Sequence, residues 1–544
     1  MKHELIRLTA VAAGLVSVLV LVLVPVLVTA PAARAAPPAT GLTPAAVGAY
    51  LERTMESTGL PGMSVVVTQR GEIVHAGGYG HGPDGEPVTE RTPMRVASVS
   101  KSFTAMAVMT LVDDGGISLD EPVAGRLPEF RMADRRAAGI TVRHLLNQTS
   151  GLSDTTVDIG ATQEATSLAG YVSALGTGTL AADPGTRWEY CNVNYDVAAR
   201  LVEVVSGRSF GDYMRRRVFG PLGMTGSAVG DRVVRPSEGF NSLYGAWVAR
   251  PELPGFRDGG GGGVVTNAAD MGRWLIGQTG HGKQLVTPES LRTMHTPSAA
   301  RGYGMGWGEE SVDGTRLLVH SGNLFTYTAV EAIAPDTGYG FAVMTNSAAL
   351  HDDTYDVLLG LLAMSRGGTP DVPGGGRQEF ELALGVIALA AAGLGALGVL
   401  RSRRWASRVA HRARVRSQRV PGVPESRRWA SRVAHRARVR SQRVPGVPES
   451  RRWGSRRAGS PAWRTGLRTV LRTGLRTAPL LLPAALFAAY PWLISFLMNG
   501  RTVTWEQLTY FAAPMTITFA VVAAAGAVTA AMRLVRLRSV VSTR

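Results

Sequence analysis

A chain of 544 residues with 45% hydrophobic residues has ample length and apolar content for more than one domain. Its net charge of +17 is local: residues 401–477 carry 23 Arg against Glu425 and Glu449, a net of +21, which leaves −4 for everything else and argues against nucleic acid as a partner of the folded body. The single cysteine, Cys191, excludes an intrachain disulfide.

In chain order, Lys2 and Arg7 precede an apolar run from Leu8 to Ala30 and an A-x-A site at Ala33-Arg34-Ala35. Residues 1–35 therefore read as an export signal, with an uncleaved N-terminal anchor as the alternative. Residues 36–367 have globular composition. "GMSVVVTQRGEIVHAGGYG" (62–80) predicts two strands around a turn, "TRLLVHSG" (315–322) a third, and "YTAVEAIAPDTGYGFAVMTNS" (327–347) a hairpin with Pro335–Gly338 at its tip. Between them, "SKSFTAMAVMTLVDDG" and "VNYDVAARLVEVVSG" space apolar residues three and four apart, as helices do. The expected fold is α/β, with an antiparallel sheet built from both ends of the domain, flanking helices and an all-helical insertion between.

Residues 368–381, rich in Gly and Pro, read as a flexible linker. Three charge-poor apolar runs follow, at 382–400, 478–498 and 511–532, each long enough to span a bilayer. With residues 36–381 outside, the Arg-rich segment 401–477 and the basic tail 533–544 both fall on the cytoplasmic side, as the positive-inside rule requires, and "NGRTVTWEQLT" returns outside. These features predict a multi-pass protein of a bacterial-type cell membrane with an extracytoplasmic folded domain. The Arg-rich segment repeats a 24-residue unit identically at 402–425 and 426–449, marked by Trp405 and Trp429. It reads as a solvated linker or as a patch that lies on anionic lipid, with nucleic acid as a third alternative.

The chemistry begins in "RVASVSKSFTAM" (95–106). A helix starting near Ser98 puts Ser98 and Lys101 on one face. Ser100 points elsewhere, and Ser102 is adjacent to the lysine in sequence. Free N–H groups at a helix start can also hold an oxyanion. Only Lys2, Lys101 and Lys283 are lysines among 58 basic residues, so a lysine kept here is informative: lysine can serve as a base and arginine cannot. "WEYCNVNYD" adds Tyr190, a possible proton carrier, and Asn192, which can bind an amide. "LLVHSGN" adds His320, Ser321 and Gly322 at the end of a strand whose edge can pair with an extended substrate. Each motif alone is weak. His144, His281, His295 and His351 show no metal-ligand spacing, and nothing calls for a cofactor.

Together, S-x-x-K, then Y-x-N about 90 residues later, then H-S-G about 130 after that, resemble the serine beta-lactamase and penicillin-binding-protein superfamily. The likeness is to class C beta-lactamases and the related D-Ala-D-Ala carboxypeptidases and esterases, over about residues 60–350. "TVRHLLNQTSGL" (141–152) and the glycine run before "VVTNAADMGRWL" (264–275) fit the same family. The resemblance implies that Ser98 is acylated, that Lys101 and Tyr190 move its proton, and that Asn192, His320, Ser321 and Gly322 bind substrate. The N–H groups of Ser98 and Asn323 would form the oxyanion hole. The implied substrate is a small molecule or a peptidoglycan-type peptide, ester or amide, with no evident protein partner. His320 departs from the lysine usual in beta-lactamases, and a histidine is only partly charged at neutral pH. That tilts the expectation away from efficient beta-lactam hydrolysis and toward the peptidase and esterase branch. A true beta-lactamase, a slow penicillin-binding sensor and a membrane module served by the C-terminal half are the alternatives.

Overall fold

The computed structural model describes residues 42–298, 302–418, 477–497 and 502–542. The export signal read at 1–35 and most of the Arg-rich repeat lie outside them.

The sheet opens with β1 (Gly62–Gln69) and β2 (Glu72–Gly80), joined by Arg70 and Gly71 at φ 44° and 92°. Two successive positive-φ residues make a turn whose twist suits a hairpin, and glycine at the second position lowers its cost. Four further strands follow far along the chain: β3 (Gly308–Val312), β4 (Thr315–Asn323), β5 (Thr328–Ala334) and β6 (Tyr339–Thr345). The order in the sheet is β2-β1-β6-β5-β4-β3, antiparallel throughout. Met63 pairs with Thr345 and Gln69 with Tyr339, so the two ends of the domain meet at the centre of the sheet. The long connection between β2 and β3 holds the insertion. It is mostly helical but also carries short strands, among them Gly239–Leu243 against Ala246–Arg250, and Val264–Thr266 against Met94–Arg95. The short apolar-polar runs there escaped a reading that looked for helical spacing.

Of five helices, α1 (Pro44–Thr58), α2 (Ser100–Asp113), α3 (Val193–Ser206), α4 (Ala268–Gln278) and α5 (Thr354–Ser365), α1, α4 and α5 pack on the strands, α2 reaches β5 through Ser102, and α3 packs against α2. The period of two along β1 divides its valines between two cores. Val65 and Val67 pack with Leu51 of α1 and Leu361 of α5, whereas Val66 joins Trp274 of α4 and Phe103 of α2. Cutting a fully buried leucine such as Leu361 to alanine removes about 2–5 kcal/mol of stability. α2 is buried on every side from Ser100 to Leu111. That is why its apolar pattern lacks a polar face.

α6 (Gly376–Leu400) begins inside the stretch read as a linker. Arg377 and Glu381 are buried there, and Ser242 Oγ accepts from Arg377 and donates to Glu381 (2.5 and 2.8 Å). The preceding glycines masked this i, i+4 pair. Farther on, Thr477–Ala488 and Tyr490–Leu497 are bent by 57°, with Pro491 beside the break. α7 (Trp505–Phe511) and α8 (Ala513–Ser542) close the chain. α6 and Ala513–Val540 are long and apolar enough to cross a membrane, with mean hydropathies of 2.3 and 1.9; the bent pair makes a third if it is one span. Within this C-terminal unit, Thr529 Oγ1 donates to Gly395 O (3.3 Å), the small-residue contact by which apolar helices approach one another.

Candidate active site

Ser98 lies in a 3-10 turn, Ala97–Val99, immediately before α2. Ala97 has φ 48°, a left-handed conformation that is strained for a residue with a Cβ. The turn leaves Ser98 half-buried, at the surface end of an otherwise buried helix. The neighbouring serines are occupied elsewhere. Ser100 Oγ accepts the Val264 N–H (2.9 Å), and Ser102 Oγ donates to Glu331 (2.6 Å). Glu331, on β5, also accepts from Trp274 Nε1 (2.9 Å), and burial pushes its carboxyl up to about 8.

At the second residue of α2, one turn beyond Ser98, the fully buried Lys101 amine meets three oxygens. It lies 2.6 Å from Gly261 O, 2.8 Å from Asn192 Oδ1 and 2.9 Å from Ser98 Oγ. The first two are pure acceptors, so each takes an N–H. The remaining corner of the nitrogen then points at Ser98 Oγ. The same nitrogen stands 4.9 Å from the Tyr190 ring centroid and 5.8 Å from that of Tyr195. Asn192 precedes α3, and one turn on, Asp196 accepts the Gly261 N–H (3.0 Å). Burial raises the Asp196 carboxyl to about 6, against the pull of the Gly261 N–H and the Lys101 charge. α3 therefore grips the glycine loop that grips the lysine. A side chain on Gly260 would come within 2.4 Å of Tyr195 O, so the loop needs its glycines to approach this closely.

The third motif completes the cleft. β3 pairs with β4 only from Thr315 to Val319, which leaves the edge of His320–Asn323 without a strand on that side. Ser321 and Asn323 are exposed along it. Gly322 also serves the fold. A Cβ there would strike Val96 O at 2.2 Å and approach Ser98 N to 2.9 Å, so the glycine lets the serine turn lie against the strand.

His320 is buried, and its surroundings define its state. Nδ1 lies 2.7 Å from Ser321 O, which accepts its proton, so Nε2 accepts from the Tyr303 hydroxyl at 3.1 Å. Burial and the Lys101 charge push the imidazole down to about 3. The expectation of a partly charged histidine is thus corrected: it is neutral at physiological pH. The Tyr190 and His320 rings are 6.3 Å apart, which brings the residues of all three motifs together around Ser98. Cys191 is buried with its thiol on Asp154 Oδ1 (3.2 Å), and burial raises its pKa well above the usual thiol value. It is no nucleophile. Tyr303, Asp196 and Glu331 carry no sequence motif of their own, and the glycine run that holds Gly261 does not reveal that its carbonyl meets Lys101. Among the described residues one possible metal cluster, His351, Asp353 and Asp356, lies outside this cleft, with His351 already paired to Asp353 (3.3 Å).

Comparison with known proteins gives the family and the fold. The Beta-lactamase family model matches residues 47–364. "Penicillin-binding protein 4" of Amycolatopsis lactamdurans is 32% identical over 341 residues, 56% of this chain and 86% of that protein. "Protein flp" of Staphylococcus aureus (strain N315) is 26% identical over 314 residues, and only 62% of its length is matched. Among solved structures, the octameric penicillin-binding protein homologue of Pyrococcus abyssi superposes with a TM-score of 0.53 at 24% identity, over 63% of this chain and 80% of that one. The D-amino acid amidase of Ochrobactrum anthropi SV3 gives 0.50 at 23% identity, over 59% and 99%. These structures share the fold.

Proposed function

The chain belongs to the Beta-lactamase family of serine hydrolases, and from that premise we propose that it hydrolyses D-amino-acid amides, esters or cell-wall-type peptides from the outer side of a membrane, through an acyl group on Ser98. The observation that carries the reading is the Lys101 amine, held by Gly261 O and Asn192 Oδ1 with its remaining corner 2.9 Å from Ser98 Oγ.

In this reading Ser98 Oγ attacks the carbonyl and its proton passes to the Lys101–Tyr190 pair. The backbone N–H groups of Ser98 and Asn323 stabilise the oxyanion. The C–N or C–O bond breaks, and the same pair returns the proton to the leaving amine or alcohol. Water then attacks the acyl-enzyme, its proton is taken up by the pair, and the pair passes a proton to Ser98 Oγ as the acyl–Oγ bond breaks, which frees the acid and restores the serine. Asn192 shares its side chain between Lys101 and the substrate amide. Substrate lies along the open edge from His320 to Asn323.

A neutral His320 supplies no positive charge at the position where the resemblance to beta-lactamases implies a lysine. That supports uncharged amides and esters over substrates anchored by a carboxylate. Of the relatives' names, that of the D-amino acid amidase fits uncharged amides, whereas that of the penicillin-binding protein fits the wider class of acyl transfer to a serine. The apolar helices would anchor the enzyme, with the Arg-rich segment on the cytoplasmic side.

The test compares D-phenylalanine amide, a D-alanyl peptide, p-nitrophenyl acetate and a chromogenic cephalosporin on the purified full chain. The expected result is a kcat/KM for the best amide or ester at least tenfold above that for the cephalosporin, with all turnover lost in Ser98→Ala. A cephalosporin turned over best would replace this reading with that of a true beta-lactamase.

A further inference from the structure

"NGRTVTWEQLT" (499–509) reads as a return loop between two apolar runs, yet the chain from Tyr490 to Thr516 belongs to the same compact unit as the catalytic domain. Thr504 caps α7 through a reciprocal box with Gln507 (3.2 and 3.0 Å), which folds the segment locally. Leu508 is fully buried and Tyr510 is 8% exposed. A solvated loop needs neither.

The two ends of this segment hold two different walls of the cleft. At one end, Thr502 Oγ1 donates to Asp154 O (3.0 Å). Asp154 in turn holds the thiol of Cys191, which lies between Tyr190 and Asn192. At the other end, Arg250 donates to Thr509 O (2.7 Å) and covers the Tyr510 ring at 3.6 Å. That ring meets Phe325 edge-on, with centroids 6.1 Å apart. Phe325 is two residues beyond Asn323, the end of the open strand edge. One wall carries the tyrosine and asparagine, the other the strand edge, and eight residues of chain join them.

We infer that residues 502–511 bridge the two walls at the Asp154–Phe325 end of the cleft and limit the size of the acyl group that Ser98 accepts. An extended substrate following β4 past Asn323 runs toward Phe325, which the packed Tyr510 holds in place. Short acyl groups stop before that point; long ones meet it. Tyr510 acts on selectivity through Phe325 and not on the bonds that break, so it is a specificity-determining residue. The inference rests on acylation of Ser98.

The experiment uses the full chain in detergent and two esters with one leaving group, p-nitrophenyl acetate and p-nitrophenyl 4-phenylbutanoate. The readout is the ratio of their kcat/KM values, bulky over small. Tyr510→Ala is expected to raise that ratio at least fivefold, while Tyr510→Phe, which keeps the ring, stays within twofold of the natural chain. An unchanged or lowered ratio in Tyr510→Ala overturns the inference. Should that variant fail to fold, amide exchange in the natural chain decides. Protection across 505–511 should differ at least fivefold between chains phosphonylated by a methyl and by a 4-phenylbutyl phosphonofluoridate, and equal protection overturns it. Ser98→Ala separates the two questions: if it still turns over both esters, the assignment of Ser98 fails, whatever the loop does.

Discussion

α2 and α6 are both apolar helices, yet they spend their side chains in opposite ways. α2 has 14 residues, and twelve in succession, polar ones included, are buried. α6 has 25, and only 6% of its most apolar window is buried, with Leu389 left 76% exposed. Composition alone does not distinguish them; length and partners do. The first is consumed by a protein core and can therefore hold a lysine in one place. The second keeps a bare apolar surface that suits hydrocarbon.

The largest test of this contrast strikes the α2 end. Ser98→Ala should lower kcat/KM for p-nitrophenyl acetate by about a thousandfold or more, with the melting temperature nearly unchanged, because Ser98 sits on a half-buried turn. Lys101→Arg should lose about 10²–10⁴-fold. Arginine keeps the charge but cannot act as a base, so near-normal activity would show that charge alone suffices. At the α6 end, Leu389→Arg places a cation in a helix apolar enough to cross a membrane, at a cost of about 2.5–3.5 kcal/mol if it does so. Extraction by alkaline carbonate should rise while esterase activity persists. Equal loss of both would mean that the two regions are not separable.

A smaller effect probes the core behind α2. Glu331 has its carboxyl raised to about 8 by burial, against an ordinary value of 4.5. The folded state then holds a proton that the unfolded state has released, so stability falls as pH rises from about 4.5 to about 8 and levels off above. Glu331→Gln should flatten this slope in melting curves taken from pH 5 to 8. A slope unchanged by the substitution would contradict it. Smallest is Tyr303→Phe, which removes the donor to His320 Nε2. A few-fold change in kcat/KM is expected, together with an acidic limb that moves upward as His320 gains protons more readily. A rate change with an unmoved pH profile would leave Tyr303 a packing residue only.

Much of the site was legible because its chemistry is written in spacing. Ser98 and Lys101 share a helix face, and Tyr190 and Asn192 flank one buried residue. The β5–β6 hairpin was equally plain, since alternation and a Pro-Asp-Thr-Gly tip are local signals. What escaped was made by tertiary contact. Gly261 acts through its carbonyl oxygen, which no side-chain pattern reveals. Tyr303 matters only because it faces a histidine 17 residues away. The buried Arg377–Glu381 turn hid behind a glycine run, and α7 hid between two apolar stretches. The neutral state of His320 also depends on burial and on Lys101, neither of which its own motif records.

The most direct measurement is intact-mass analysis and peptide mapping of the full chain after exposure to benzylpenicillin or a D-aminoacyl ester, with Ser98→Ala beside it. The expected result is one acyl adduct, stable or transient, on the peptide that contains Ser98 and none in the variant. An adduct on Ser100, Ser102 or Ser321, or equal labelling of the Ser98→Ala chain, would contradict the assignment.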